Sequence, residues 1–193
     1  MEPVILKFTP NTQFTDDELF EFCVANKELR IERNKNGQIV IMPPTGSASG
    51  KRNFKASTLF GYWALTHENL GYGFDSSTGF RLPSGAMRSP DTAWIKKERW
   101  DSLSGSEQRK FAPLTPDFVI EIRSESDSLN ELQDKMQEWI ENGCRLAWLI
   151  DPLEEKAYVY TMQGLVNTVE TFNSTLSGGD VLPGFELDLS LLK

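Results

Sequence analysis

Two stretches put an aspartate directly after a proline and at the mouth of an apolar run. They are SPDTAWI, residues 89–95, and TPDFVIEIRS, residues 115–124. A carboxylate avoids the entrance to a buried strand unless a cation or hydrogen-bond donors meet it there. Side chains alternate along a strand, so in DFVIEIR the residues Phe118, Ile120 and Ile122 share one face. Asp117, Val119, Glu121 and Arg123 share the other, which lines up charges. At about 3.3 Å per residue, the backbones of Asp117 and Glu121 stand roughly 13 Å apart, too far to hold one small cation together. Asp91, on the neighbouring strand segment, is the better partner for Glu121.

A cation comes from the next helical stretch, LNELQDKMQEWIEN. Leu129, Leu132, Met136, Trp139 and Ile140 form an apolar stripe at helical spacing, and Lys135 falls at its edge. A lysine there can lay its stem on apolar surface and extend its ammonium toward the end of the sheet. Two carboxylates and a lysine meeting at one strand end suit metal-assisted hydrolysis of a phosphodiester. The carboxylates would hold magnesium, and the lysine would steady hydroxide or the charge developing on phosphorus.

Each residue also has a plainer reading. Asp91 could cap a turn after Pro90. Glu121 could pair with Arg123 or Arg145. Lys135 could be an ordinary boundary lysine. Glu32 reads as a surface residue of an early hairpin, and Asp117 as a strand-entry group.

Other chemistries fit less well. His67 is the only histidine and sits among helix-periodic residues, so a Ser-His-Asp triad or a histidine-rich metal site has little to draw on. TGSASGKR has three residues between its last two separated glycines, Gly46 and Gly50, and Arg52 after the lysine, so it fails the phosphate-loop pattern. Cys23 and Cys144 belong to no CxxC pair and read as small core fillers.

The elements that must position these groups follow from turn and capping signals. Thr15 and Glu18 form a capping box ahead of a helix over 15–27. RIERNKNGQIVIM reads as a hairpin with a type I′ turn at Asn36-Gly37. A helix runs from about 51 to 69, carrying Phe54, Leu59, Tyr62 and Trp63 at helical spacing. Two strands, 72–82 and 88–95, flank the turn Pro83-Ser84-Gly85. Residues 98–115 hold at most a short helix. A strand at 117–123, a helix at 129–142 ended by Gly143, and the strand RLAWLID follow. KAYVY, VETF and FELDL are short tail strands. The order gives α+β, or mixed α/β, around one sheet.

The chain of 193 residues suits a single domain, 1–193. Its 28 acidic against 20 basic residues, net charge -8, argue against broad nonspecific binding to nucleic acid. No apolar run has the length of a membrane span, and MEPVILKFTP lacks the form of a secretory signal. With no disulfide framework, a cytoplasmic location is expected.

The stretches RIERNKNGQIVIMPPTGSASG, FDSSTGFRLPSGAMRSPDTAWI, FAPLTPDFVIEIRSESDSL, LQDKMQEWIENGCRLAWLIDP and VLPGFELDL carry a resemblance. The chain resembles the Uma-two family of restriction endonucleases, in its cyanobacterial form, within the PD-(D/E)XK nuclease-like superfamily. The resemblance implies a restriction-endonuclease-like core, about 51–151, with a central mixed sheet flanked by helices and extra hairpins at both ends. It implies a magnesium-dependent, or manganese-dependent, endonuclease that acts on DNA and works as a homodimer. Asp91 matches the PD aspartate and Glu121 the (D/E) position. Arg123 stands at the K position, a departure, because arginine does not exchange its proton. Lys135 would fill that role from the following helix. Glu32 and Asp117 lie in stretches typical of the family and are secondary candidates. The rivals are a degenerate nuclease-like domain that binds nucleic acid or protein without catalysis, and a hydrolase of smaller phosphate esters.

Overall fold

The structure, a computed structural model, describes residues 4–6 and 14–193. In chain order the elements are β1 (Val4–Leu6), α1 (Asp16–Ala25), β2 (Arg30–Arg33), β3 (Ile39–Met42) and α2 (Ser47–Thr66). Then come β4 (Gly71–Asp75), β5 (Phe80–Arg81), β6 (Met87–Arg88), β7 (Thr92–Lys96), α3 (Lys97–Asp101) and α4 (Gly105–Gln108). The remainder is β8 (Phe118–Ile122), α5 (Leu129–Glu141), β9 (Leu146–Asp151), β10 (Lys156–Thr161), β11 (Gly164–Val169), β12 (Thr175–Ser177) and β13 (Glu186–Asp188).

The class is α+β with a mixed central sheet. Six strands run in the order β11-β10-β9-β8-β7-β4, and five form a second sheet, β1-β3-β2-β6-β5. Only β8 and β9 pair in parallel within the six-stranded sheet; α5 is the crossover that parallel neighbours require. Both faces of β8 are covered, and all five of its residues are buried. Phe118, Ile120 and Ile122 pack with Phe60 and Trp63 of α2, whereas Val119 packs with Met136 and Trp139 of α5. The supposed charged face of β8 is thus a second core face, with Glu121 set into it.

Several local expectations change. The first hairpin does not use a type I′ turn, because Gly37 has φ 77° while Asn36 does not have positive φ. Its loop closes with Gly37 N–H donating to Asn34 O and Asn34 N–H to Gln38 O. This is a type I turn followed by a left-handed glycine, the three-residue form of hairpin loop. The expected strand pair around Pro83 divides into four pieces: β4 and β7 join the large sheet, β5 and β6 the small one. On α2, Phe54 and Tyr62 face outward; the inward stripe is Ala56, Phe60, Trp63 and Ala64. The VETF segment lies mostly past β11, and the polar stretch 98–115 holds two short helices.

Candidate active site

Strand direction sorts the two Pro-Asp motifs. β7 runs antiparallel to β8, with Thr92 opposite Ile120 and Trp94 opposite Phe118. Asp91, just before β7, therefore meets the C-terminal end of β8, where Glu121 stands. Its Oδ2 accepts the Ile122 N–H at 2.8 Å, and its Oδ1 accepts Asn53 Nδ2 of α2 at 3.1 Å. Asp117 sits at the other end of the same strand pair. It accepts the Lys96 N–H at 2.8 Å and pairs with Arg99 at 2.9 Å. Asp117 therefore anchors the far end of β7 and does not join Asp91 and Glu121.

α5 delivers Lys135 and Trp139 one turn apart to a single atom. Lys135 Nζ lies 2.8 Å from Glu121 Oε1, and Trp139 Nε1 donates to that same oxygen at 3.1 Å. Lys135 also reaches Glu32 Oε1 at 3.1 Å. Glu32 comes from β2, in the other sheet. Its neighbour Ile31 packs in the α1 core, so alternation turns Glu32 the opposite way, toward α5. Far from being a surface residue, Glu32 is 2% exposed. Arg88 donates to Glu32 at 2.9 Å and to Glu138 at 2.5 Å, and the Ser89 N–H completes the cage at 3.0 Å.

The K-position arginine stands apart. Arg123 bonds Asp151 at 2.8 Å and the Asp127 carbonyl at 3.2 Å, and contacts neither Asp91 nor Glu121. It is a structural pair at the ends of β8 and β9.

Charge explains the titration behaviour. The cluster holds the carboxylates of Asp91, Glu121, Glu32 and Glu138 against the cations Lys135, Arg88 and Arg30. One negative charge is left over. Burial pushes Glu121 up to about 7; Lys135 opposes this, while Asp91 and Glu32 add to it. Burial likewise raises Asp91, against the pull of Arg30 and the Ile122 amide. Burial works against Glu32 too, but Lys135 and Arg88 outweigh it and hold that group at about 2. Burial disfavours the Lys135 ammonium, yet Glu121 and Glu32 together keep its pKa above the ordinary lysine value.

The donor set suits a hard divalent cation. Among the described residues no group of three or more His, Cys, Asp or Glu side chains is arranged as a complete metal cage. Magnesium needs less, since one or two carboxylates suffice and water and substrate oxygens supply the rest. Asp91 and Glu121 offer that pair. Each Asp91 oxygen has accepted one hydrogen bond and retains a lone pair, and Glu121 Oε2 accepts none. A cation would also relieve the excess negative charge that raises Glu121.

Four members of this cluster carried no sequence signal that singled them out: Asn53, Arg30, Arg88 and Glu138. Trp139 reads as core in sequence, and so it is, but its indole N–H belongs to the site. The spacing Lys135–Glu138–Trp139, one helical turn, could have flagged it.

No curated protein matches the chain. Among solved structures, one described as a "putative nuclease belonging to DUF820" from Anabaena variabilis ATCC 29413 superposes with TM-score 0.69 at 20% identity. The alignment covers 86% of this chain and 90% of that one, and shows a shared fold. A DrdV–DNA complex aligns at TM-score 0.35 and 15% identity over 56% of this chain and 9% of that one, too remote to bear on the argument. The family Uma2, described as "Putative restriction endonuclease", matches residues 16–190, from the first turn of α1 to the closing turn after β13. The chain belongs to the Uma2 family.

Proposed function

We propose that the chain is a metal-dependent endonuclease that hydrolyses DNA phosphodiester bonds, with Asp91 and Glu121 holding magnesium or manganese and Lys135 acting beside them. The observation that carries this reading is the meeting of Glu121 with Lys135 at 2.8 Å, next to Asp91, at one end of adjacent strands. Bound there, a divalent ion would screen phosphate charge and acidify water.

The chain's own groups have separable tasks. Lys135 stays an ammonium, so it serves as a hydrogen-bond donor and positive charge rather than as a base. It can orient the attacking water or stabilise charge on phosphorus. Glu32 is a positioning residue: it gives the lysine a second carboxylate contact and helps keep it charged. Trp139 fixes the Glu121 carboxylate and walls one side of the site with apolar surface. Asn53 and the Ile122 amide set the rotamer of Asp91.

Such a nuclease acts as one unit over 1–193, and pairing of two copies would place two sites on the two strands of a duplex. The deciding experiment is calorimetric titration with magnesium and manganese, wild type against Glu121→Gln, followed by a plasmid-nicking assay. Binding lost in the variant and nicking by wild type alone are expected. The net charge of -8 favours a second reading, a nuclease-like interaction module without catalysis. Absence of metal uptake both with and without DNA would select it.

A further inference from the structure

The arginines near the site differ in how fully their donors are used. Arg33 spends Nε on Gly85 O, Nη1 on Phe14 O and Nη2 on Asp16. Arg88 spends Nε on Glu138 and Nη1 on Glu32. Arg123 spends Nε on Asp127 O and Nη1 on Asp151. Their side chains are 9%, 14% and 19% exposed.

Arg30, the first residue of β2, is different. Only Nη2 makes a hydrogen bond, to Ser89 O at 3.2 Å. Nε is buried without a partner, and the side chain is 38% exposed. Nη2 lies 3.6 Å from Asp91 Oδ1, a charge contact beyond hydrogen-bond length. An unpaired buried donor is uncommon and calls for a reason. Here the guanidinium is held by a single hydrogen bond, reaches solvent, and stands beside a carboxylate that the nuclease reading assigns to a cation. Once a cation neutralises Asp91, Arg30 loses its one ionic partner at the place where a phosphate would arrive.

We propose that Arg30 is a substrate-binding residue that holds a phosphodiester oxygen of the bound nucleic-acid strand. A planar guanidinium with unspent donors matches the geometry of phosphate oxygens. Its contact is with the backbone, so it positions the strand without reading sequence. The inference rests on the nuclease reading.

The test measures binding of a short labelled duplex by fluorescence anisotropy, in magnesium and before measurable cleavage, across a salt series. Lys135→Ala serves as the slow-cleaving background that keeps the metal, and Arg30→Ala and Arg30→Lys are added to it. Thermal unfolding confirms that each variant is folded, and Arg30→Lys stands in should the alanine variant fail. The expected result for alanine is about tenfold weaker binding, as for a lost charge-assisted hydrogen bond. The slope of log affinity against log salt should fall by about 0.9, one phosphate contact. Lysine should keep the slope and lose part of the affinity. A residue that merely balances Asp91 would shift thermal stability and leave the slope alone. An unchanged slope and affinity in Arg30→Ala overturn the inference while leaving the nuclease reading intact. No DNA binding by the Lys135→Ala background, with none by wild type in magnesium, overturns both.

Discussion

Lys135 and Glu32 lie 103 residues apart in sequence and 3.1 Å apart in space, and their contact joins the helix behind one sheet to a strand of the other. The lysine is thus clamped between a carboxylate held near pKa 2 and one raised to about 7. This asymmetry yields distinct expectations for the two acids.

Glu121→Gln should lose metal binding and cleavage yet gain stability at alkaline pH. The folded pKa, about 7, lies above the ordinary value near 4.5, so the fold favours the protonated form. The associated stability is complete below about pH 4.5 and lost as pH rises through 7, a loss of at most about 3 kcal/mol. The neutral glutamine escapes this loss. Differential scanning calorimetry should show the variant melting higher than metal-free wild type at pH 8, with the gap narrowing toward pH 5. A variant that melts lower at pH 8 would contradict the assignment of excess negative charge.

Glu32→Gln has the opposite sign. A folded pKa near 2 gives stability that is present above about pH 4.5 and lost as pH falls toward 2. The substitution also leaves two buried cations short of a partner, so a cost of roughly 3 kcal/mol at pH 7 is expected. Urea unfolding should show that difference at pH 7 and its shrinkage by pH 3. An equal difference at both pH values would mean that packing, not charge, is what the substitution removes.

Lys135→Ala should lower the cleavage rate by about 10²–10³ while metal affinity stays the same or tightens, since the lysine competes for Glu121 Oε1. Single-turnover kinetics alongside magnesium titration separates the two effects. Loss of metal binding in step with activity would assign the lysine to holding the site together instead.

Metal uptake should release a proton near neutrality, because Glu121 is partly protonated there and must ionise to bind. Apparent magnesium affinity should rise about tenfold per pH unit below about pH 7 and level off above it. Calorimetry in two buffers of different ionisation heat counts the protons directly.

Arg123→Lys, which puts a lysine at the K position of the motif that the resemblance implies, should not raise activity. The side chain there is committed to Asp151, a fully buried carboxylate, and does not reach Glu121. A small loss of stability, roughly 1 kcal/mol, is expected from giving up the second hydrogen bond. A tenfold gain in cleavage would show that the position still serves the site.

Local signals were legible where a side chain acts on its own neighbours. The Thr15–Glu18 capping box, the apolar stripe of α5 and the strand FVIEI all read directly from spacing. The two Pro-Asp motifs looked alike because the dipeptide specifies only a strand entrance. Which of them meets Glu121 depends on the antiparallel pairing of β7 with β8, a relation between segments that neither segment encodes alone. Glu32 entered as a secondary candidate only through the resemblance, because the nearby charges of Arg30 and Arg33 make its strand look solvated. The short strands β5 and β6 were lost because each expected strand, 72–82 and 88–95, passes from one sheet to the other within its own length.

The clamp on Lys135 also bears on when this chain could act. Its contacts draw on β2, on β8 and on α5, and β2 emerges long before the other two during synthesis. Until the hairpin has docked, the lysine has only one of its two anchors and Glu121 lacks its settled neighbour. A ribosome-bound or partly opened chain therefore carries every residue of the site without the arrangement. For a protein proposed to cut DNA, assembly across two sheets would hold activity back until both sheets have formed.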